Sequence, residues 1–161
     1  MKTIRFSAIL LFSILSSNCT PLKPPAIIKN GTIEKYKYIF ISPTSSLTSS
    51  SGAIYGGQYY SSSASVNPSD VISGILTKKG FIRLPELRRH VTGETLIVNY
   101  GESGRRNRGL GYTIEVTIQF ISSESNSLIC SCTAEGQGST EADDIRQAIT
   151  RCLSGLFSNR N

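Results

Sequence analysis

This chain of 161 residues is short of several things that enzymes and nucleic-acid binders use. It has no tryptophan and a single histidine, His90. Imidazole-driven proton transfer would rest on that one side chain, and no Ser or Asp stands at a recognised nucleophile or base spacing from it. Charged residues are 17% of the chain, which excludes an ordinary charge-rich disordered segment. No apolar run approaches the ~20 residues of a membrane-spanning helix; Phe6 to Leu15 reaches ten. Acidic groups are few, eleven against seventeen basic, for a net charge of +6. Removing Lys2 and Arg5 with the first eighteen residues leaves fifteen against eleven, or +4. That mild excess favours anionic surfaces weakly and under salt screening. It is not the concentrated basic face of a nucleic-acid binder. No internal repeat is present.

What is there begins with export. Lys2 and Arg5 precede the apolar run, and Ser16-Ser17-Asn18-Cys19 follows it. Basic, apolar and small-polar segments in that order are a secretory signal. A Cys closing such a signal resembles the lipobox of bacterial lipoproteins, in which the thiol is acylated and becomes the first mature residue. The pattern departs from the family at two places: Leu15 lies four residues before the Cys instead of three, and Asn18 takes the small position. Pro21, Pro24 and Pro25 then forbid a continuing helix and read as a short stiff tether between lipid and domain. The expected organisation is a signal peptide over 1–18, a tether over 19–30, and one domain over 31–161.

Tyr36–Ile41 is strand-like and apolar on both faces in its second half, as for an interior strand. Residues 42–66 are rich in Ser, Gly and Tyr, and are expected to be a flexible loop in which Tyr55, Tyr59 and Tyr60 are the candidate partner contacts. Asn67-Pro68-Ser69-Asp70 is a helix start and Lys78-Lys79-Gly80 a helix stop, with Val71, Ile72, Ile75 and Leu76 at helical spacing between them. Strands follow at Leu96–Tyr100, at Thr113–Phe120, where alternation is clearest, and at Leu128–Ala134. A polar loop is expected over Gly101–Gly111. Ser139 or Thr140 caps a last helix whose apolar face includes Ile145, Ile149, Cys152 and Leu156. The order β-α-β-β-β-α predicts an α+β two-layer sandwich, a four-stranded mixed sheet with two helices on one face.

Three groups of residues invite chemistry. Cys130 and Cys132 share one face of a strand, and Cys152 lies on the apolar side of the last helix. They read as buried packing thiols, with a single bridge to Cys152 as one alternative and a metal site as a remote one, since the spacing matches no zinc pattern. Arg105, Arg106 and Arg108 form a loop cluster that reads as a solvated turn; as a functional feature it is the candidate anion or partner contact. Gly136-x-Gly138 before a helix has the geometry of an anion site, but Glu141, Asp143 and Asp144 would repel a phosphate there. No catalytic residue, cofactor or metal is expected.

The phrases KYKYIFISP, NPSDVISGILTKKGF, ETLIVNYGESGRR and CTAEGQGSTEADDIRQAI resemble an uncharacterised family of Gram-negative envelope lipoproteins. The order of elements is also similar to the amino-terminal domain of the Tol-system translocation protein. These resemblances imply a periplasm-facing adaptor or assembly role and carry no catalytic residues over. Thr20 in place of an Asp after the Cys looks like outer-membrane sorting. The expected protein is therefore a lipid-anchored, non-enzymatic binding or scaffold module of the cell envelope. It would be held to the outer membrane through a lipid on Cys19 and partnered by another envelope protein, not by nucleic acid. The alternative is a soluble periplasmic or secreted module that binds an anionic polymer through Arg105–Arg108. A small enzyme is the third and weakest reading.

Overall fold

The computed structural model describes residues 21–43, 47–55, 58–108 and 111–158, with 47–55 and 58–65 described by backbone alone. The strands are β1 (Ala26–Lys29), β2 (Tyr38–Ile41), β3 (Leu47–Tyr55), β4 (Gln58–Val66), β5 (Ile82–Leu84), β6 (Thr95–Arg108), β7 (Gly111–Ser122) and β8 (Leu128–Gly136). The helices are α1 (Pro68–Lys78), a 3-10 helix (Arg89–Glu94) and α2 (Glu141–Phe157). Six strands form one mixed sheet in the order β1-β8-β7-β6-β2-β5. The pairs β1/β8, β8/β7 and β7/β6 are antiparallel, whereas β2 runs parallel to both β6 and β5. β3 and β4 form a separate antiparallel hairpin.

The class is α+β, but the expected four-stranded sheet is wrong: the sheet has six strands. Both extra strands are edges, and neither carries the alternation that betrays a half-buried strand. All four residues of β1 are exposed, and its partner β8 lies a hundred residues away in the chain. β5 has three residues, too few for a period-two pattern. The structure also corrects the expected polar loop at 101–111. β6 continues to Arg108, because β7 offers it a partner as far as Gly111, and a bulge between Glu102 and Gly104 absorbs the irregular register. In the Ser/Gly/Tyr tract, the backbone pairs in register from Leu47↔Val66 to Tyr55↔Gln58, where a loop was expected.

The helices follow their sequence signals closely. The Asn67 side chain caps α1 by accepting from the Ser69 N–H at 3.1 Å, with Pro68 in the first turn. At its far end Gly80, at φ +95°, lets Gly80 N–H reach Thr77 O and Phe81 N–H reach Leu76 O, the paired bonds of a left-handed C-terminal cap. Thr140 caps α2 by accepting from Asp143 N–H at 3.2 Å. α2 lies along β8 and β7, and α1 packs against α2 and β5. Ile72 and Leu76 of α1, Ile149 and Leu153 of α2, and Ile39, Val98, Ile118 and Phe120 of the sheet join in one core. Gly136 permits the close seat of α2: a Cβ there would lie 1.8 Å from Asp144 O.

Candidate functional site

The ends of the sheet differ in their charge chemistry. At the end where β8 finishes and α2 starts, arginines meet carboxylates. Arg105 donates to Glu102 through Nε at 2.5 Å and to Glu141 at 2.5 Å, and its guanidinium lies 5.2 Å from the Tyr112 ring centroid. Arg106 reaches from β6 across β7 to Glu135 on β8 in a two-pronged contact, 2.8 Å from Nε to Oε1 and 2.7 Å to Oε2. Glu135 is 3% exposed. It also accepts the Lys23 backbone N–H at 3.0 Å. The Arg106 hydrogen bonds, aided by the Lys23 N–H and by both positive charges, outweigh burial and hold its carboxyl down at about 2. Arg108 donates to the Gln137 side-chain oxygen. The structure thus places Arg105, Arg106 and Arg108 on a strand, with two of the three guanidiniums engaged by carboxylates of the same chain.

The same end fixes where the N-terminal segment meets the domain. Lys23 gives its N–H to Glu135, and its carbonyl accepts from Arg151 of α2 at 2.7 Å. The anion cradle suggested by Gly136-x-Gly138 is filled from within, since Gly138 N–H donates to the carboxylate of Asp144. Burial, the largest influence on Asp144, pushes its carboxyl upward.

The cysteines divide. Cys132 and Cys152 form a disulfide, with Cα atoms 5.4 Å apart, that staples α2 to β8. This corrects the expectation of three packing thiols. Strand alternation aims Cys132 at the helix layer, and the apolar stripe of α2 brings Cys152 over it. Cys130 stays a buried free thiol. Desolvation pushes it up to about 11, against a lowering by Lys29, which leaves it a poor nucleophile. No group of His, Cys, Asp and Glu fit to hold a metal exists among the described residues.

At the opposite end of the sheet lies a hollow that nothing in the sequence pattern marked. One part is a cavity of about 190 Å³ lined by Ile33, Cys130, Leu156 and Phe157, with Lys29 and Glu34 at its rim. An adjoining depression of about 270 Å³ is lined by Glu34, Tyr36, Lys37, Lys79 and Phe81. Phe157 lines the first and Phe81 the second, their ring centroids 6.3 Å apart, and Lys79 Nζ lies 5.7 Å from the Phe157 centroid. Lys29, Lys37 and Lys79 are exposed. Among the described residues Lys23 is the lysine that makes an ion pair. Lys78 and Lys79 also suit the negative end of α1, so part of this charge serves the helix. Lys29 is on β1, Lys37 precedes β2 and Lys79 follows α1, so the rim gathers lysines from three separate parts of the chain.

Of the other expected site residues, Cys19 lies outside the described residues, as do the side chains of Tyr55, Tyr59 and Tyr60. His90 is exposed on the 3-10 helix. No described helix is long and apolar enough to cross a membrane. No family model matches the chain, and no curated protein does. Among solved structures, it is similar to the dodecamer of a PelC point variant from Paraburkholderia phytofirmans, at 15% identity and a TM-score of 0.49, over 82% of this chain and 95% of that one.

Proposed function

We propose that the chain is a non-enzymatic binding module of the bacterial envelope, held to the periplasmic side of the outer membrane by a lipid on Cys19. The observation that carries this reading is the pinning of Lys23 between Glu135 and Arg151. Four peptide steps separate Cys19 from Lys23, at most about 14 Å of extended chain. A domain anchored that closely has a defined membrane-proximal end, which is what a lipid-held adaptor needs. The buried, weakly acidic thiol of Cys130 and the internally paired carboxylates agree with a binding role over a catalytic one.

Fractionation tests the anchor. Cys19→Ser is expected to move the protein from the membrane pellet to the soluble periplasmic fraction, since acyl chains supply most of the membrane affinity of such proteins. A mutant that stays in the membrane fraction would remove lipidation at Cys19 from the reading.

A further inference from the structure

We infer that the lysine-rimmed hollow docks an acidic segment of a protein partner, one apolar side chain of which enters the cavity beside Cys130. The cavity, about 190 Å³ and walled by Ile33, Leu156 and Phe157, is the size of a site for one large side chain; an apolar void of about 150 Å³ admits benzene. It falls below the roughly 300–1,000 Å³ that encloses a drug-sized ligand. An anchor residue in a desolvated pocket, ringed by polar contacts, is the usual anatomy of a protein hot spot. Lys29 lines the cavity itself, Lys37 and Lys79 line the adjoining depression, and Glu34 is the acidic member of both linings. Charge complementarity therefore selects an acidic segment and speeds its approach.

Geometry argues against the two other anionic occupants. β8 places Cys130 five residues from Glu135, roughly 17 Å along the strand. The hollow is thus at the far end of the sheet from Lys23, where the chain heads toward Cys19. If Cys19 carries the lipid, as proposed above, the hollow faces away from the anchoring membrane and toward the periplasm. A uronic-acid polymer would satisfy the lysines and the polar depression, but it has no apolar group to fill the wall of the cavity formed by Ile33, Leu156 and Phe157.

The test uses the mature protein with Cys19→Ser, labelled with nitrogen-15 and studied in solution. The probes are a short Asp/Glu peptide with a central phenylalanine, the same peptide with alanine at the centre, and a Lys counterpart that keeps the phenylalanine. Phosphatidylglycerol vesicles and polygalacturonate are titrated separately. The acidic phenylalanine peptide should shift the amides of Ile33, Glu34, Cys130, Leu156 and Phe157 saturably. The alanine peptide should bind at least about tenfold more weakly, as should the K29E/K37E/K79E variant, whose rim is exposed and whose remaining spectrum should be unchanged. Absence of saturable shifts up to millimolar peptide, equal binding of the Lys peptide, or stronger perturbation of these amides by vesicles or polymer would overturn the inference. Because no lipid takes part, failure here leaves the fractionation of Cys19→Ser untouched; failure of that fractionation removes the argument from membrane orientation and leaves the peptide titration to stand on its own.

Discussion

The two ends of the sheet carry similar numbers of cations and use them in opposite ways. At the Glu135 end, Arg105 and Arg106 are tied to Glu102, Glu141 and Glu135. At the Cys130 end, Lys29, Lys37 and Lys79 surround two hollows without an ion pair among the described residues. The side-chain chemistry explains the division. A guanidinium forms planar, two-pronged contacts with a carboxylate and suits fixed internal ties. A lysine is a hydrated point charge on a flexible stem, available to whatever approaches. The clustering of basic residues along the sequence ranks Arg105, Arg106 and Arg108 first. Pairing reverses that order.

The strongest way to break the paired end is through its backbone. Gly136→Ala would set a Cβ against Asp144 O and force α2 off β8. A loss of about 3 kcal/mol or more is expected in chemical denaturation, and a near-neutral result would mean that α2 can shift at little cost. Next comes the staple between helix and sheet. Closing a loop of this size restricts the unfolded chain by roughly 3 kcal/mol, so Cys152→Ala should lower stability by about that much. In the unreduced, denatured protein, Cys130 should be the thiol that alkylates among Cys130, Cys132 and Cys152. In the native state it should resist, being buried and held in the protonated form. Labelling of all three without reductant would remove the bridge.

Glu135 gives the next effect. Glu135→Gln leaves Arg106 without its anionic partner beneath the Lys23 segment and should cost about 2 kcal/mol. The pH dependence has a definite sign. The native carboxyl sits at about 2, and an unfolded glutamate near about 4.3. Its stabilisation is therefore complete above the unfolded value and is lost as pH falls through the native one. The wild type should weaken over that acid window, and the Gln variant should lack that component. At the small end of the scale, charge reversal at Lys29 or Lys37 should change stability by no more than about 0.5 kcal/mol, as for surface positions generally. A large loss at either would show that the lysine end is held together by its charges, and the contrast between the ends would collapse.

Local chemistry was the legible part of this protein. Asn67, Pro68 and Gly80 set the bounds of α1 because capping bonds and a left-handed residue act within a turn. Thr140 set the start of α2 for the same reason. The alternation of Ile114, Val116, Ile118 and Phe120 announced β7, since one face of that strand meets the helices. β1 was hidden because Ala26–Lys29 is exposed throughout and exists as a strand through its bonds to β8. The continuation of β6 through Arg105 and Arg106 was hidden by its polarity, although Glu102, Arg105 and Arg106 are a passable wet end for a long antiparallel strand.

The sequence by itself therefore determined α1 and α2, the central strands and the core stripe of α2, all properties written into neighbours a few residues apart. Tertiary structure alone decided which cations are neutralised, which cysteine is left unpaired, and that Lys29, Lys37 and Lys79 share one rim. Those outcomes depend on groups far apart in the chain meeting at strand ends and helix termini. Coulomb interactions and covalent bridging act through space, and no spacing along the chain encodes that distance.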